Sequence, residues 1–143
     1  MILPDVNVLI YAFRQDAPQH AACNSWLTNV VASDGRFALS PLTLSALVRV
    51  TTNTRSYREP STLAEAFTFC DYLRGQPNCQ FVEPGEHHWE IFRRLCIETD
   101  TRGPRVTDAW FAALAIEWGC EWVTMDRDYA RFPGLSWSVP GKT

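Results

Sequence analysis

The sequence lacks the features that would indicate a membrane protein or a protein of an oxidising compartment. It has no run of about 18 apolar residues, the length that a transmembrane helix needs. Asp5 interrupts the opening apolar residues, and no basic stretch precedes them, so no signal peptide is predicted. The five cysteines are an odd number without a CxxC pair, which favours free thiols over a disulfide frame or a zinc site. We therefore expect a cytoplasmic protein with no membrane partner.

Several motifs of nucleotide and hydrolase chemistry are also absent. No GxGxxG, P-loop or GxSxG pattern occurs, and the pair His87-His88 lacks the i, i+4 spacing of a helical zinc site. Lysine is scarce, since 12 of the 13 basic residues are arginines, and the formal net charge is −3. A negative total argues against a nucleic-acid partner. Arginines clustered around a pocket can nevertheless bind a polyanion, because binding depends on the local electrostatic field and not on the net charge.

What the sequence does contain is an alternation of short apolar strands and amphipathic helices. The strand candidates are residues 1–3, 37–39, 80–82, 121–124 and, at an edge, 135–139. The helix candidates are residues 6–13, 18–31, 41–51, 63–74, 86–99 and 107–118, the fourth of them opened by a capping box. This order predicts one α/β domain over residues 1–143, without a linker, in which helices flank a mostly parallel sheet of four to five strands.

Three acidic residues lie where predicted strands and helices meet. Asp5 follows the first strand, Asp108 opens an alanine-rich helix, and Asp126 follows the fourth strand. Functional sites of open α/β sheets form at the carboxyl ends of the strands, so acids about 100 residues apart can converge there. Converging carboxylates repel one another unless a hard cation neutralises them, and Mg²⁺ and Mn²⁺ prefer oxygen ligands. A metal-dependent enzyme acting on phosphates is the first hypothesis.

The segments around these acids, residues 2–12, 106–109 and 123–129, together resemble the PIN-domain ribonucleases. In order and spacing they are most similar to the VapC-type toxins of bacterial toxin–antitoxin pairs, over nearly the whole chain. The resemblance implies a single PIN domain and a Mg²⁺- or Mn²⁺-dependent endoribonuclease. It also implies a homodimer that a small VapB-type antitoxin inhibits, and RNA as the substrate.

Carried over residue by residue, the resemblance makes Asp5, Asp108 and Asp126 the metal ligands and catalytic acids. The family also has a Glu early in the helix after the second strand, but here Ser45 or Ala46 occupies that place. The loss of a carboxylate implies weaker metal affinity and favours hydrolysis with one metal. Two other acids could compensate for the missing Glu, namely Asp128 and Glu117.

Supporting roles are predicted for polar residues near these acids. Asn7, Ser45 and Thr124 are candidates for hydrogen bonds that orient the carboxylates. Arg49, Arg105 and Arg127 are candidates for contacts with RNA phosphates, which guanidinium groups bind bidentately.

Other interpretations remain open on the sequence alone. Asp5 and Asp108 could serve only as helix-terminal acids, and Asp126 and Asp128 as turn residues. The missing Glu suggests an alternative function, a catalytically weak or inactive PIN-like module that binds RNA or an antitoxin. A phosphatase with an Asp nucleophile is disfavoured, because such enzymes carry a second Asp where Asn7 stands. An antitoxin could inhibit by inserting an Arg into the acidic pocket from a segment laid in an apolar groove.

Overall fold

The computed structural model describes residues 1–141, in which five short strands alternate with six α-helices and two short 3-10 segments. The strands are β1 (Ile2–Pro4), β2 (Phe37–Leu39), β3 (Cys79–Phe81), β4 (Glu121–Val123) and β5 (Trp137–Ser138). The helices are α1 (Val6–Phe13), α2 (His20–Ala32), α3 (Pro41–Thr51), α4 (Leu63–Arg74), α5 (His88–Thr99) and α6 (Val106–Trp118). The 3-10 segments are Gly103–Arg105, directly before α6, and Arg127–Arg131, between β4 and β5.

The five strands form one parallel sheet in the order β3-β2-β1-β4-β5. The chain runs outward from β1 to β2 and β3, and then returns to the other side of β1 for β4 and β5. The predicted α/β domain with a parallel sheet and flanking helices is confirmed. The strand order reverses between β1 and β4, and in open α/β sheets the crevice that binds ligands lies outside the carboxyl ends of such strands.

Alternating side chains of each strand divide the core into two layers, because successive strand residues point to opposite faces. Phe37 and Leu39 of β2 pack with buried residues of α1 to α4 on one face. Ala38 between them faces the other layer, which contains Leu114 of α6 and Leu95 of α5. The sheet is therefore covered by helices on both faces, as short parallel strands require.

Local signals explain where several helices begin and end. Thr62 Oγ1 accepts a hydrogen bond from Glu65 N while the Glu65 carboxylate accepts one from Thr62 N, so the predicted capping box is present at α4. Gly119 ends α6 with a φ of 65°, which glycine adopts without strain. The predicted bounds of α1, β2, α3 and α4 agree with the structure.

Other bounds differ by one or two residues at the ends. Helix α2 begins at His20 rather than at residue 18, and α5 begins at His88 rather than at residue 86. Strand β3 covers residues 79–81 rather than 80–82, and the edge strand is limited to Trp137 and Ser138. Thr124 lies just beyond β4 instead of within it, and its buried side chain reaches Asp5 at the carboxyl end of β1.

No helix within residues 1–141 has both the length and the apolar character needed to cross a membrane.

Candidate active site

Asp5 is a buried carboxylate at the carboxyl end of β1, only 8% exposed. Its backbone N–H donates to Val123 O at 2.8 Å, which continues the pairing of β1 with β4. Thr124, which is fully buried, donates its hydroxyl to Asp5 Oδ2 at 2.7 Å. Asp5 occupies the N-cap position of α1, where its backbone carbonyl accepts the N–H of Val8, but its side chain makes no capping hydrogen bond.

Thr124 connects Asp5 with two further predicted residues. Its Oγ1 accepts a hydrogen bond from the backbone N–H of Asp126 at 3.0 Å and one from Asn7 Nδ2 at 3.4 Å. Asn7 Oδ1 in turn accepts from the backbone N–H of Met125 at 3.2 Å. The loop after β4 is thus fixed against the start of α1 by side chains that lie 117 to 119 residues apart in sequence.

Asp126 is the N-cap residue of the 3-10 segment that follows this loop. Its Oδ1 accepts the backbone N–H of Asp128 at 2.9 Å, which is the turn geometry that Asp favours. Asp128 itself pairs with the guanidinium of Arg105 at 3.1 Å, on an exposed part of the surface. Arg127 is exposed on the same segment.

Asp108 lies in the first turn of α6, where the helix dipole favours a negative charge. Two side chains of the 3-10 segment reach its carboxylate: the Tyr129 hydroxyl donates to Oδ1 at 3.3 Å, and Arg131 Nη2 lies 3.4 Å from Oδ2. Tyr129 is buried, and the carboxylate is 29% exposed. The 3-10 segment that Asp126 precedes therefore ends against Asp108.

The titration behaviour of the site reflects burial and negative charge. Burial raises the pKa of Asp5 from 3.8 to about 6; the Thr124 hydrogen bond opposes this, and the charges of Asp108 and Asp126 add to it. Burial is also the main cause that raises the pKa of Tyr129, and the charges of Asp5, Asp108 and Asp126 raise it further. Asp108 and Asp126 are thus close enough to Asp5 to act on it electrostatically.

The chemistry of this donor set fits a hard divalent cation. Its donors are oxygens, and the neighbouring charges that raise the pKa of Asp5 are those that a bound cation would neutralise. Nowhere in residues 1–141 do three His, Cys, Asp or Glu side chains form a group that could hold a metal ion as they stand. The Asp108 carboxylate already accepts from Tyr129 and Arg131, so a cation bound to it would compete with these contacts.

The residues predicted to supplement the three acids lie in different surroundings. Glu117, near the end of α6, accepts hydrogen bonds from the backbone N–H groups of Gly85 and His87 at 2.7 and 3.0 Å. It therefore fixes the loop before α5 through these contacts, and its compensation for the missing acid stays a prediction. Asp128 keeps its place beside Asp126 but is engaged by Arg105.

Ser45 and Arg49 project from α3 into a groove of about 710 Å³ between α3, α4 and β3. Apolar side chains line much of this groove, among them Leu44, Phe67 and Phe81. Neither Ser45 nor Arg49 has a hydrogen bond to the three acids among the contacts of the described residues. Ala46, the other occupant of the missing acid's place, is half-buried on the same helix.

Two functional candidates were missed by reasoning from sequence, namely Tyr129 and Arg131. Both follow Asp126 within five residues, and the arginine pair 127 and 131 is visible as a cluster. The spacing alone did not indicate which of the two arginines turns inward. The 3-10 turn decides this, because it brings Arg131 to Asp108 and leaves Arg127 exposed.

Comparison with known proteins adds an independent line of information. A family model described as "PIN domain" matches residues 2–135. Ribonuclease VapC25 of Mycobacterium tuberculosis is 39% identical over 135 residues, which cover 94% of this chain and 95% of that protein. Ribonuclease VapC33 of the same species is 32% identical over 140 residues, with 98% of each chain covered.

Solved structures give the same fold at lower sequence identity. VapBC2 from Rickettsia felis, bound to a promoter DNA fragment, superposes with a TM-score of 0.72 at 16% identity, covering 98% of this chain and 99% of that one. VapC20 of Mycobacterium tuberculosis, described as a toxin that cleaves the sarcin–ricin loop, gives 0.68 at 13% identity, covering 95% and 99%. At these identities the likeness concerns the fold alone.

Proposed function

The chain belongs to the PIN-domain family, and on that premise we propose that it is a metal-dependent endoribonuclease toxin held inactive by a cognate antitoxin. The observation that carries the proposal is the setting of Asp5. This carboxylate is buried at the crevice between β1 and β4, hydrogen-bonded by Thr124, and under the influence of two further acids. Burying negative charge at a sheet crevice costs free energy, and a cation bound there would offset that cost.

Asp5, Asp108 and Asp126 are the residues that would hold Mg²⁺ or Mn²⁺. When bound, such a cation supplies Lewis-acid assistance to the hydrolysis of a phosphodiester. Thr124 and Asn7 fix the orientation of the Asp5 carboxylate and of the loop that carries Asp126. The chain's own part is therefore to present oxygens of fixed orientation on rigid elements, as a precise site requires.

RNA would be bound through its phosphates by arginines around the crevice. Arg105 and Arg127 are exposed near the acids, in the short 3-10 segments that border the site. Arg49 lies at the groove beside α3 and would contact RNA only if the strand extended that far. The pairing of Arg105 with Asp128 is exposed and is worth little, so a phosphate can replace the carboxylate.

The partner of this chain would be a VapB-type antitoxin, and the active form a homodimer in the cytoplasm. The solved structures that resemble the chain include a VapBC complex from Haemophilus influenzae and a DNA-bound VapBC complex from Salmonella typhimurium. The apolar groove beside α3 offers a surface on which an antitoxin helix could pack, with Phe67 half exposed at its rim.

One observation favours the alternative of a PIN-like module that binds RNA or an antitoxin without cutting. Neither Ser45 nor Ala46 supplies a carboxylate, and Asp108 is engaged by Arg131. Three acids would then have to bind the cation with less negative charge than the family pattern provides. The two functions differ in whether RNA is cleaved when metal is added.

The test is the cleavage of total RNA by purified protein with Mg²⁺, with Mn²⁺ and with EDTA. Asp5→Asn is the informative variant, and Asp34→Asn, at an exposed position, is the matched control. Discrete fragments that require metal, and that are lost only in Asp5→Asn, are the result expected of the nuclease. Absence of cleavage with either metal, while RNA or antitoxin binding persists, would establish the binding module instead.

A further inference from the structure

Arg131 is the one arginine of the described residues that forms an ion pair with any of the three acids. Its Nη2 lies 3.4 Å from Asp108 Oδ2. The side chain of Arg131 is 24% exposed and that of Asp108 is 29% exposed. Asp5 and Asp126 are met by a hydroxyl and by a backbone N–H, respectively. The positive charge inside the acidic site is therefore that of Arg131, and it lies against Asp108.

The guanidinium has two other attachments that do not depend on Asp108. Nη1 donates to the backbone carbonyl of Asp128 at 2.8 Å, and the guanidinium carbon lies 4.2 Å from the centre of the Phe132 ring. These contacts hold the side chain in place by a hydrogen bond and by a cation–π interaction. Loss of the pair with Asp108 would thus leave Arg131 anchored, so the pair is not needed to keep the segment folded.

The distance between Arg131 and Asp108 indicates a weak pair. Charge-assisted hydrogen bonds between an N–H and a carboxylate are about 2.7–2.9 Å long. The contact of Nη2 with the Asp108 carboxylate is 3.4 Å, longer than that range and longer than the 2.8 Å hydrogen bond of Nη1 to the backbone carbonyl of Asp128. A contact of this kind neutralises charge without fixing the carboxylate firmly, and a divalent cation can displace it.

We propose that Arg131 is a positioning residue that competes with the divalent cation for the Asp108 carboxylate. In the metal-free protein the guanidinium neutralises Asp108 and keeps its carboxylate turned toward the 3-10 segment. Metal binding has to break this pair, so Arg131 sets the metal concentration at which the site fills. This inference rests on the proposed function, because it requires that Asp108 is a metal ligand.

The experiment measures Mn²⁺ affinity by electron paramagnetic resonance of the free ion, without RNA. The proteins are the wild type, Arg131→Gln, Asp108→Asn and the double variant. Arg127→Gln is the control for the local field, since Arg127 is exposed on the same 3-10 segment and its loss changes the net charge equally. Thermal unfolding in EDTA reports whether each variant is folded.

Arg131→Gln is expected to bind Mn²⁺ roughly two- to fivefold more tightly than the wild type, which is the range of a partly exposed ion pair. Arg127→Gln should change the affinity less. In the Asp108→Asn background the gain from Arg131→Gln should vanish, because the two residues act through one pair. A purely structural arginine would not give this coupling.

Two results would overturn the inference and are distinguishable from failure of the proposed function. If the wild type binds Mn²⁺ and Arg131→Gln binds it equally or more weakly, Arg131 does not compete for Asp108, and the nuclease proposal stands. If the gain persists in the Asp108→Asn background, the arginine acts through the general field. If neither the wild type nor Arg131→Gln binds Mn²⁺ at millimolar concentrations, the inference and the metal-dependent function both fail.

Discussion

The hydroxyl of Thr124 donates a 2.7 Å hydrogen bond to the carboxylate of Asp5, although the two residues are 119 positions apart in sequence. The contact exists because β1 and β4 are adjacent parallel strands that end at the same edge of the sheet. Since the same hydroxyl also accepts from the Asp126 backbone, one side chain orients two of the three predicted acids. The integrity of the site therefore depends on Thr124.

Replacement of Thr124 by Val should reduce the free energy of unfolding by roughly 2–3 kcal/mol, because it leaves a buried carboxylate and a backbone N–H without their partner. Thr124→Ser keeps the hydroxyl and should lose less, about 1 kcal/mol for the buried methyl group. Urea unfolding measures both. RNA cleavage by Thr124→Val should fall well below that of Thr124→Ser; equal loss in the two variants would mean that the methyl group, and not the hydrogen bonds, matters.

Replacement of Asp5 by Asn should stabilise the metal-free protein at neutral pH. The pKa of Asp5 is raised by burial from 3.8 to about 6, so the folded state binds a proton more tightly than the unfolded state. Above pH 6 the folded protein must bury an anion, which lowers its stability; this penalty is relieved as the pH falls through 6 and is gone below about 4. At pH 7 the variant should be more stable by roughly 2–3 kcal/mol, on the basis of 1.36 kcal/mol per pKa unit.

Urea unfolding in EDTA at pH 7, 5.5 and 4 tests this pH dependence. The stability difference between Asp5→Asn and wild type should shrink along this series and approach zero at pH 4. Asp34→Asn, at an exposed position, should stay within about 0.5 kcal/mol of the wild type throughout. A variant less stable than the wild type at pH 7 would mean that the carboxylate is stabilised, and not penalised, in the folded state.

The fold could be predicted from sequence because its signals are local. The capping box at Thr62 and the glycine at 119 mark helix ends by mechanisms that act within one turn. Strand ends were less certain because strands of two or three residues have little periodicity. Helix α5 begins two residues later than predicted, after a loop in which Glu117, 30 residues further along the chain, holds the backbone N–H of His87. Such a contact has no local signature.

The site was predictable in part because its residues follow strands of the sheet. Asp5 and Thr124 follow neighbouring strands, so the topology brings them together once the sheet is known. Arg131 could not be distinguished from Arg127 by spacing, because the choice depends on a 3-10 turn. The roles of the acids in metal binding and cleavage stay predictions, and they need the measurements described above.

Replacement of Glu117 by Ala should lower stability without affecting metal binding. Glu117 accepts two backbone N–H groups of the loop before α5, and hydrogen bonds to a charged group are worth about 1.5–3 kcal/mol when buried. Because these contacts are partly exposed, we expect a loss of roughly 1–2 kcal/mol in urea unfolding. Mn²⁺ affinity should match the wild type. Glu98→Ala, which removes an exposed acid of α5, is the stability control. A drop in Mn²⁺ affinity in Glu117→Ala but not in Glu98→Ala would show that Glu117 contributes to metal binding.

Introduction of an acid on α3 should identify the place of the missing carboxylate. Ser45 faces the apolar groove with Phe67 and Phe81, whereas Ala46 is half-buried one position further around the helix. Since successive helical residues point about 100° apart, only one of the two can face the crevice beside β1. Ser40, which caps α3, follows β2, the neighbour of β1, so the first turns of α3 begin at the edge that carries Asp5.

We expect Ala46→Glu to bind Mn²⁺ more tightly than the wild type, because a further carboxylate joins the three acids, and Ser45→Glu to leave the affinity unchanged. The two variants carry the same added charge, so the long-range field is matched. Tighter binding in Ser45→Glu alone would reverse the assignment, and equal gains would show that net charge and not position determines metal affinity at this site.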